Sequence, residues 1–308
     1  MSALAAAVQF QPDWWSVLQT DFMRNALIGG SLVAVAAGLL GYFVVTRSNA
    51  FAAHALAHIG FPGATGAILV GAPITLGLAV FCVGGGLLIG LLGRRVAERE
   101  IATGTVLAFA TGLGVLFGSL ASANASTTTS VLFGNLLAVS DDELVVFALF
   151  TAAVALVLAV IARPLVFASI DPAVAEARGV PVRALGVAFV VLLALTITMA
   201  VQVVGTLLLF ALVVTPAATG LRLTARPGRV AAIAVGIALL SVWTGLVLAA
   251  MFDLPPSFVI VTTSVLIWVG VLAGTRRPRR AHLAPAHPGG HDGSGRARTP
   301  TAGSALTL

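Results

Sequence analysis

Residues 143–169 read ELVVFALFTAAVALVLAVIARPLVFAS. Between Glu143 and Arg163 the run carries no charge, and its apolar residues are continuous rather than alternating. A helix needs about 20 such residues to cross a bilayer. A spanning strand would be shorter and would alternate. The stretch therefore predicts a membrane-crossing helix. Working outward from it, similar runs lie at about 22–46, 51–70, 74–93, 102–121, 184–202, 204–221, 230–250 and 257–274. Only Gln202 to Gly205 separates two of them, so the count is eight or nine. The fold class is all-α, a polytopic integral membrane protein.

Composition agrees. Hydrophobic residues make up 59% of the 308 and charged residues 9%, with mean hydropathy +1.07. A soluble domain is about 25% charged. All 17 basic residues are Arg. No Walker lysine, Schiff-base lysine or lysine base is present, so the chain does not itself hydrolyse ATP through a P-loop. The net charge of +6 does not point to nucleic acid, because the arginines sit in short loops and the tail. Arg47, Arg94, Arg95, Arg99, Arg163, Arg178, Arg183, Arg222, Arg226, Arg229 and Arg276 to Arg280 all fall on one side if nine segments cross. That side is cytoplasmic by the positive-inside rule, with the N-terminus outside. Arg24 dissents, at the outer start of the first segment.

The chain divides into an extracytoplasmic or interfacial segment (1–21), a transmembrane permease domain (22–274) and a disordered cytoplasmic tail (275–308) rich in Pro, Gly, Arg and His. The first segment lacks the basic start of a signal peptide, and Trp14-Trp15 reads as an interfacial anchor. Gly86-x-x-x-Gly90 and Gly114-x-x-x-Gly118 allow close helix approach. The polar stretch Ala121–Ser140 is expected outside, with a short re-entrant or surface helix. Cys82, the one cysteine, reads as a small core residue.

Three places carry candidate chemistry. His54 and His58 stand four residues apart in an apolar run, so a helix puts both imidazoles on one face, with Cβ atoms about 5–6 Å apart. Intramembrane ionisable groups are functional candidates, and paired imidazoles suit a transition metal. Helix packing is the plainer alternative. Gly60-Phe61-Pro62-Gly63 is expected to end that helix. Next, Asp171-Pro172 is a good helix start, with Asp as N-cap and Pro in the first turn, and Gly179 closes it. A short helix at about 172–178, with Asp171, Glu176, Ala177, Arg178 and Gly179, is either a plain connector or a coupling helix for an ATPase subunit. Finally, Thr215-Pro216 is expected to kink or end its span. The tail histidines His282, His287 and His291 lack a fixed geometry.

Several ordered motifs resemble the permease subunits of the zinc/manganese/iron ABC importer family, over roughly 22–274. They are Phe22-Met23-Arg24-Asn25-Ala26-Leu27, Gly38-Leu39-Leu40-Gly41-Tyr42-Phe43-Val44-Val45, Ala55-Leu56-Ala57-His58 with Pro62-Gly63, and Leu132-Phe133-Gly134-Asn135-Leu136-Leu137. Ala177-Arg178-Gly179-Val180-Pro181 and Val203-Val204-Gly205-Thr206-Leu207-Leu208 through Val213-Val214-Thr215-Pro216-Ala217-Ala218-Thr219 complete the set. The resemblance implies a prokaryotic plasma-membrane protein in a homodimeric or paired core. It also implies separate ATP-binding cassette ATPase subunits, an extracytoplasmic metal-binding protein, no permanently bound cofactor, and transported Zn²⁺, Mn²⁺ or Fe²⁺. His58 matches the family histidine implicated in metal passage. His54 stands where the family usually has Asp, and Asn135 where many members have Asp. Two imidazoles in place of a carboxylate and an imidazole tilt the expected cargo towards zinc. A gradient-driven transporter is the runner-up, although all 11 acidic residues lie in tails, loops or span ends. A membrane-embedded metal hydrolase is third and lacks an intramembrane acid.

Overall fold

The computed structural model describes residues 10–92, 96–121, 134 and 136–275. Among them there are ten helices and no strand. A short α1 (Trp14–Leu18) precedes α2 (Asp21–Thr46), α3 (Ala50–Val70), α4 (Ile74–Leu92) and α5 (Val96–Leu120). After a 3-10 turn at Leu136–Ala138 come α6 (Asp141–Ile170), α7 (Pro172–Ala177), α8 (Val182–Leu223), α9 (Pro227–Phe252) and α10 (Pro256–Thr275). Eight helices are long and apolar enough to cross a membrane, and Leu208–Leu223 is a shorter apolar one.

The helices differ sharply in burial. In α2, α3 and the first half of α8, 61–67% of the apolar window is buried. In α4, α5, α6 and α10 it is 17–22%. Three central helices are thus wrapped by others that turn apolar side chains outward, such as Leu91, Ile101 and Val160. Hydrocarbon outside is as apolar as leucine inside, so hydrophobicity cannot choose the central helices. Small residues do. A Cβ on Gly38 of α2 would fall 2.7 Å from the Val235 backbone of α9, and one on Gly41 would fall 2.9 Å from Ala217 Cβ. A Cβ on Gly63 of α3 would lie 2.6 Å from the carbonyl carbon of Gly77 in α4. Of the two expected glycine motifs only one member each is tight. Gly86 closes on Val190 and Gly114 on Phe61, while Gly90 faces open space and Gly118 makes ordinary contact with Thr65.

The short break expected at Gln202 to Gly205 falls at Gly205, whose φ of 78° and ψ of 170° interrupt α8. Before the break, Phe189 packs on Phe43 of α2 with ring centroids 6.2 Å apart. After it, Ala217 packs on Gly41 of the same helix turn. Both halves therefore flank one stretch of α2, so the chain folds back on itself. Leu208–Leu223 is the shorter return leg. Positive φ without penalty is what glycine supplies at this reversal. Gln202, expected in the gap, remains helical. Pro216 does not end its helix either. It sits inside a run that continues to Leu223, and the non-helical residue of α8 is Gly205.

Of the polar stretch 121–140, residues 122–133 and 135 lie outside the described residues, including Asn135. The rest is held firmly. Buried Asn25 donates from Nδ2 to the Val139 carbonyl (3.2 Å) and to Asp141 Oδ1 (2.8 Å). Ser140 and Glu143 form a capping box that opens α6. Arg24, against the charge rule in the sequence, is paired 3.2 Å from Asp21. Trp14 and Trp15 meet edge to face in α1. The tail expected at 275–308, apart from Thr275, lies outside the described residues, as do its histidines.

Candidate functional site

α3 carries the imidazole pair. Asn49 precedes its first turn, and the helix runs unbroken to a left-handed cap at Gly71. Pro62 lies inside it, so the expected stop at Gly60–Gly63 is corrected. A mid-helix proline withholds the N–H that would bond the carbonyl four residues back, here that of His58 itself. Tertiary contacts hold the helix together regardless. Thr65 Oγ1 donates to the Phe61 carbonyl (3.2 Å) and lies 3.2 Å from the Gly114 carbonyl of α5. The Gly114 contact ties the helix to α5 just past the proline.

The His54 and His58 rings are 4.8 Å apart at their centroids, inclined by 76°. Two imidazoles sharing one ion at N–metal distances of roughly 2.0–2.1 Å hold their centroids about 5 Å apart. That separation is compatible with one shared ion and equally with two rings in edge contact one helical turn apart. Both side chains are half-buried. His54 Nδ1 is buried and has no hydrogen-bond partner. Asn25 Oδ1 and Thr196 Oγ1 are likewise buried without a partner, so His54 Nδ1 is one of three such atoms among the described residues. Phe210 of the return leg covers His54 edge to face, with ring centroids 5.7 Å apart. Among the described residues no three His, Cys, Asp or Glu side chains gather in one place, so the pair has no third ligand of these types there. Phe210 was not singled out in the sequence. It is one phenylalanine among 16, and only the reversal at Gly205 brings it to α3.

The second candidate region is formed as its residues predict. Asp171 caps α7, its side chain accepting from the Val174 N–H at 3.0 Å, with Pro172 in the first turn. Gly179, at φ 82°, reverses the chain, and the Val180 N–H bonds the Ala175 carbonyl at 3.0 Å. Ala175 is fully buried, while Asp171, Glu176, Ala177, Arg178 and Gly179 are exposed together. One apolar point docks the helix and its polar side stays open. Thr215 and Pro216 are brought to neither region; they lie further along the return leg, beside Ala217 and its contact with Gly41. Cys82 is fully buried, and its Sγ lies 3.4 Å from the Leu56 carbonyl, as a small core residue.

The chain is thus a bundle of helices long and apolar enough to cross a membrane, with a broken helix at its centre and a short capped helix on its surface. The chain belongs to the ABC 3 transport family, which it matches over residues 19–275. It is 30% identical over 271 residues to the manganese import system permease protein ScaB of Streptococcus pneumoniae, covering 87% of this chain and 96% of that one. It is 30% identical over 268 residues to a probable iron transport system membrane protein of Haemophilus influenzae, covering 85% and 97%. Among solved structures it resembles PsaBC from Streptococcus pneumoniae in complex with Fab, with TM-score 0.76, 27% identity, and coverage of 84% of this chain and 94% of that one. The protein is a multi-pass permease subunit of an ABC transporter.

Proposed function

We propose that this chain imports a divalent transition metal, with zinc as its preferred cargo, across the plasma membrane of a prokaryote. The observation that supports the reading is the His54–His58 pair, two imidazoles on one helix face with ring centroids 4.8 Å apart. The relatives named for manganese and iron support metal import as the class. Two imidazoles without a carboxylate favour zinc within that class. An incomplete ligand set suits passage, since a closed tetrahedral set would hold the ion. The N-terminus lies outside and the arginine-rich loops lie in the cytoplasm. Two copies pair to complete the core. An extracytoplasmic binding protein delivers the ion, and separate ATPase subunits drive alternating access through the helix at 172–177. Glu176, Ala177, Arg178 and Gly179 face those subunits, and the return leg with Thr215 and Pro216 moves beside the path.

The test is radioactive zinc uptake into cells expressing the chain with its ATPase and binding protein, with excess Mn²⁺ as competitor. Loss of uptake in both His54→Ala and His58→Ala, with weak Mn²⁺ competition in wild type, is the expected result. Unchanged uptake in both variants returns the histidines to helix packing. Full competition by Mn²⁺ removes the zinc preference.

A further inference from the structure

The joint between α2 and α3 is tight. The Arg47 N–H closes the last turn of α2 on the Phe43 carbonyl at 3.0 Å. Ser48 then takes a left-handed φ of 55°, and the Asn49 N–H returns to the Val44 carbonyl at 2.8 Å. α3 begins at the next residue and reaches His54 one turn later. The Arg47 side chain leaves this joint for the two helices that flank α7. Its Nη1 donates to Ser169 Oγ at 3.1 Å, two residues before the Asp171 cap. Its guanidinium lies 5.5 Å from the centroid of the Phe189 ring, near the start of α8. Phe189 is itself fully buried and tilted against Phe43 of α2.

We propose that Arg47 is a positioning residue for coupled transport, a strut that ties both flanks of the short helix at 172–177 to the joint that carries the imidazole pair. The proposal rests on reading that helix as the contact with the ATPase. Movement of the helix displaces the end of α6 and the start of α8 together. One guanidinium bound to both passes that displacement to the base of α3. The ordinary role of an arginine here is to hold topology, which any cation does. The strut asks for more. It needs a group wide enough to donate a hydrogen bond to one helix while its charge lies over an aromatic ring of the other. A lysine ammonium has neither the fork nor the flat face.

The experiment compares the full complex, with its ATPase and binding protein, in proteoliposomes. The readout is zinc transported per ATP hydrolysed for wild type, Arg47→Lys and Ser169→Ala. Arg47→Lys is expected to lower that ratio about fivefold while ATP turnover stays within about twofold, since the lost contacts are worth about 1 kcal/mol. Ser169→Ala removes one acceptor, leaves the charge in place and lowers the ratio less. A wild-type ratio in Arg47→Lys overturns the strut. If that variant does not assemble, a wild-type ratio in Ser169→Ala overturns it instead. Cross-linking from Ala177→Cys to the ATPase subunit, in a Cys82→Ala background, separates the two readings. An absent cross-link removes the coupling reading and the strut with it. A cross-link together with an unchanged ratio removes the strut alone.

Discussion

The imidazole pair on α3 and the short helix α7 are built in opposite ways. α7 leaves little undone. Its cap is made, its reversal sits on glycine, and its last turn is closed by backbone bonds. The pair is unfinished, with a buried nitrogen that has no partner and no third ligand of His, Cys, Asp or Glu type among the described residues. On the proposed function, the difference fits what each place is asked to do. A part that transmits force must keep its shape, which demands satisfied hydrogen bonds. A part that passes an ion must bind it weakly enough to release it, which demands vacancies in the ligand set.

Breaking the unfinished side has the largest expected effect. His58→Ala is expected to lower zinc uptake about a hundredfold, more than the loss of a supporting residue around a metal. Uptake assays at matched membrane expression check it, and retention of more than a tenth of wild-type uptake contradicts the ion path. His54→Asp sharpens the same side by exchanging one imidazole for a carboxylate. The ratio of zinc to manganese uptake is expected to fall about tenfold. An unmoved ratio says that the second imidazole does not set selectivity.

On the finished side, Asp171→Ala removes the cap bond to the Val174 N–H. It is expected to cost the short helix about 1 kcal/mol, or about fivefold faster amide exchange over 172–178. Hydrogen–deuterium exchange reads this directly, and unchanged protection means that docking through Ala175 holds the helix without its cap. The smallest effect is expected from Phe210→Leu. Losing one edge-to-face contact is worth about 0.5–1.5 kcal/mol. A slightly lowered thermal midpoint with zinc uptake within about threefold fits a cover over His54. Abolished uptake would make Phe210 part of the path itself.

The sequence was most legible where local chemistry decides structure. Asp171-Pro172 and Gly179 mark both ends of α7, because capping and positive φ are properties of single residues. It misled at Pro62, which lies inside α3 rather than ending it, since tertiary packing in a bundle can hold a helix through a proline that would stop a lone one. It was silent on Phe210 and on the contacts of Arg47, whose partners lie 122 residues away at Ser169 and beyond it at Phe189.

By itself the sequence determined that the chain is a bundle of membrane helices, that its arginines cluster in loops, and that two imidazoles share a helix face. Each of these follows from hydrophobic length, charge or helical period. Tertiary structure alone decided which helices are central, where α8 reverses, what covers His54, and that its buried nitrogen stands unpartnered. In hydrocarbon every helix face is apolar enough, so periodicity carries no address. Close approach of small residues such as Gly38, Gly41 and Gly63 supplies it instead, and that depends on what the opposite helix presents.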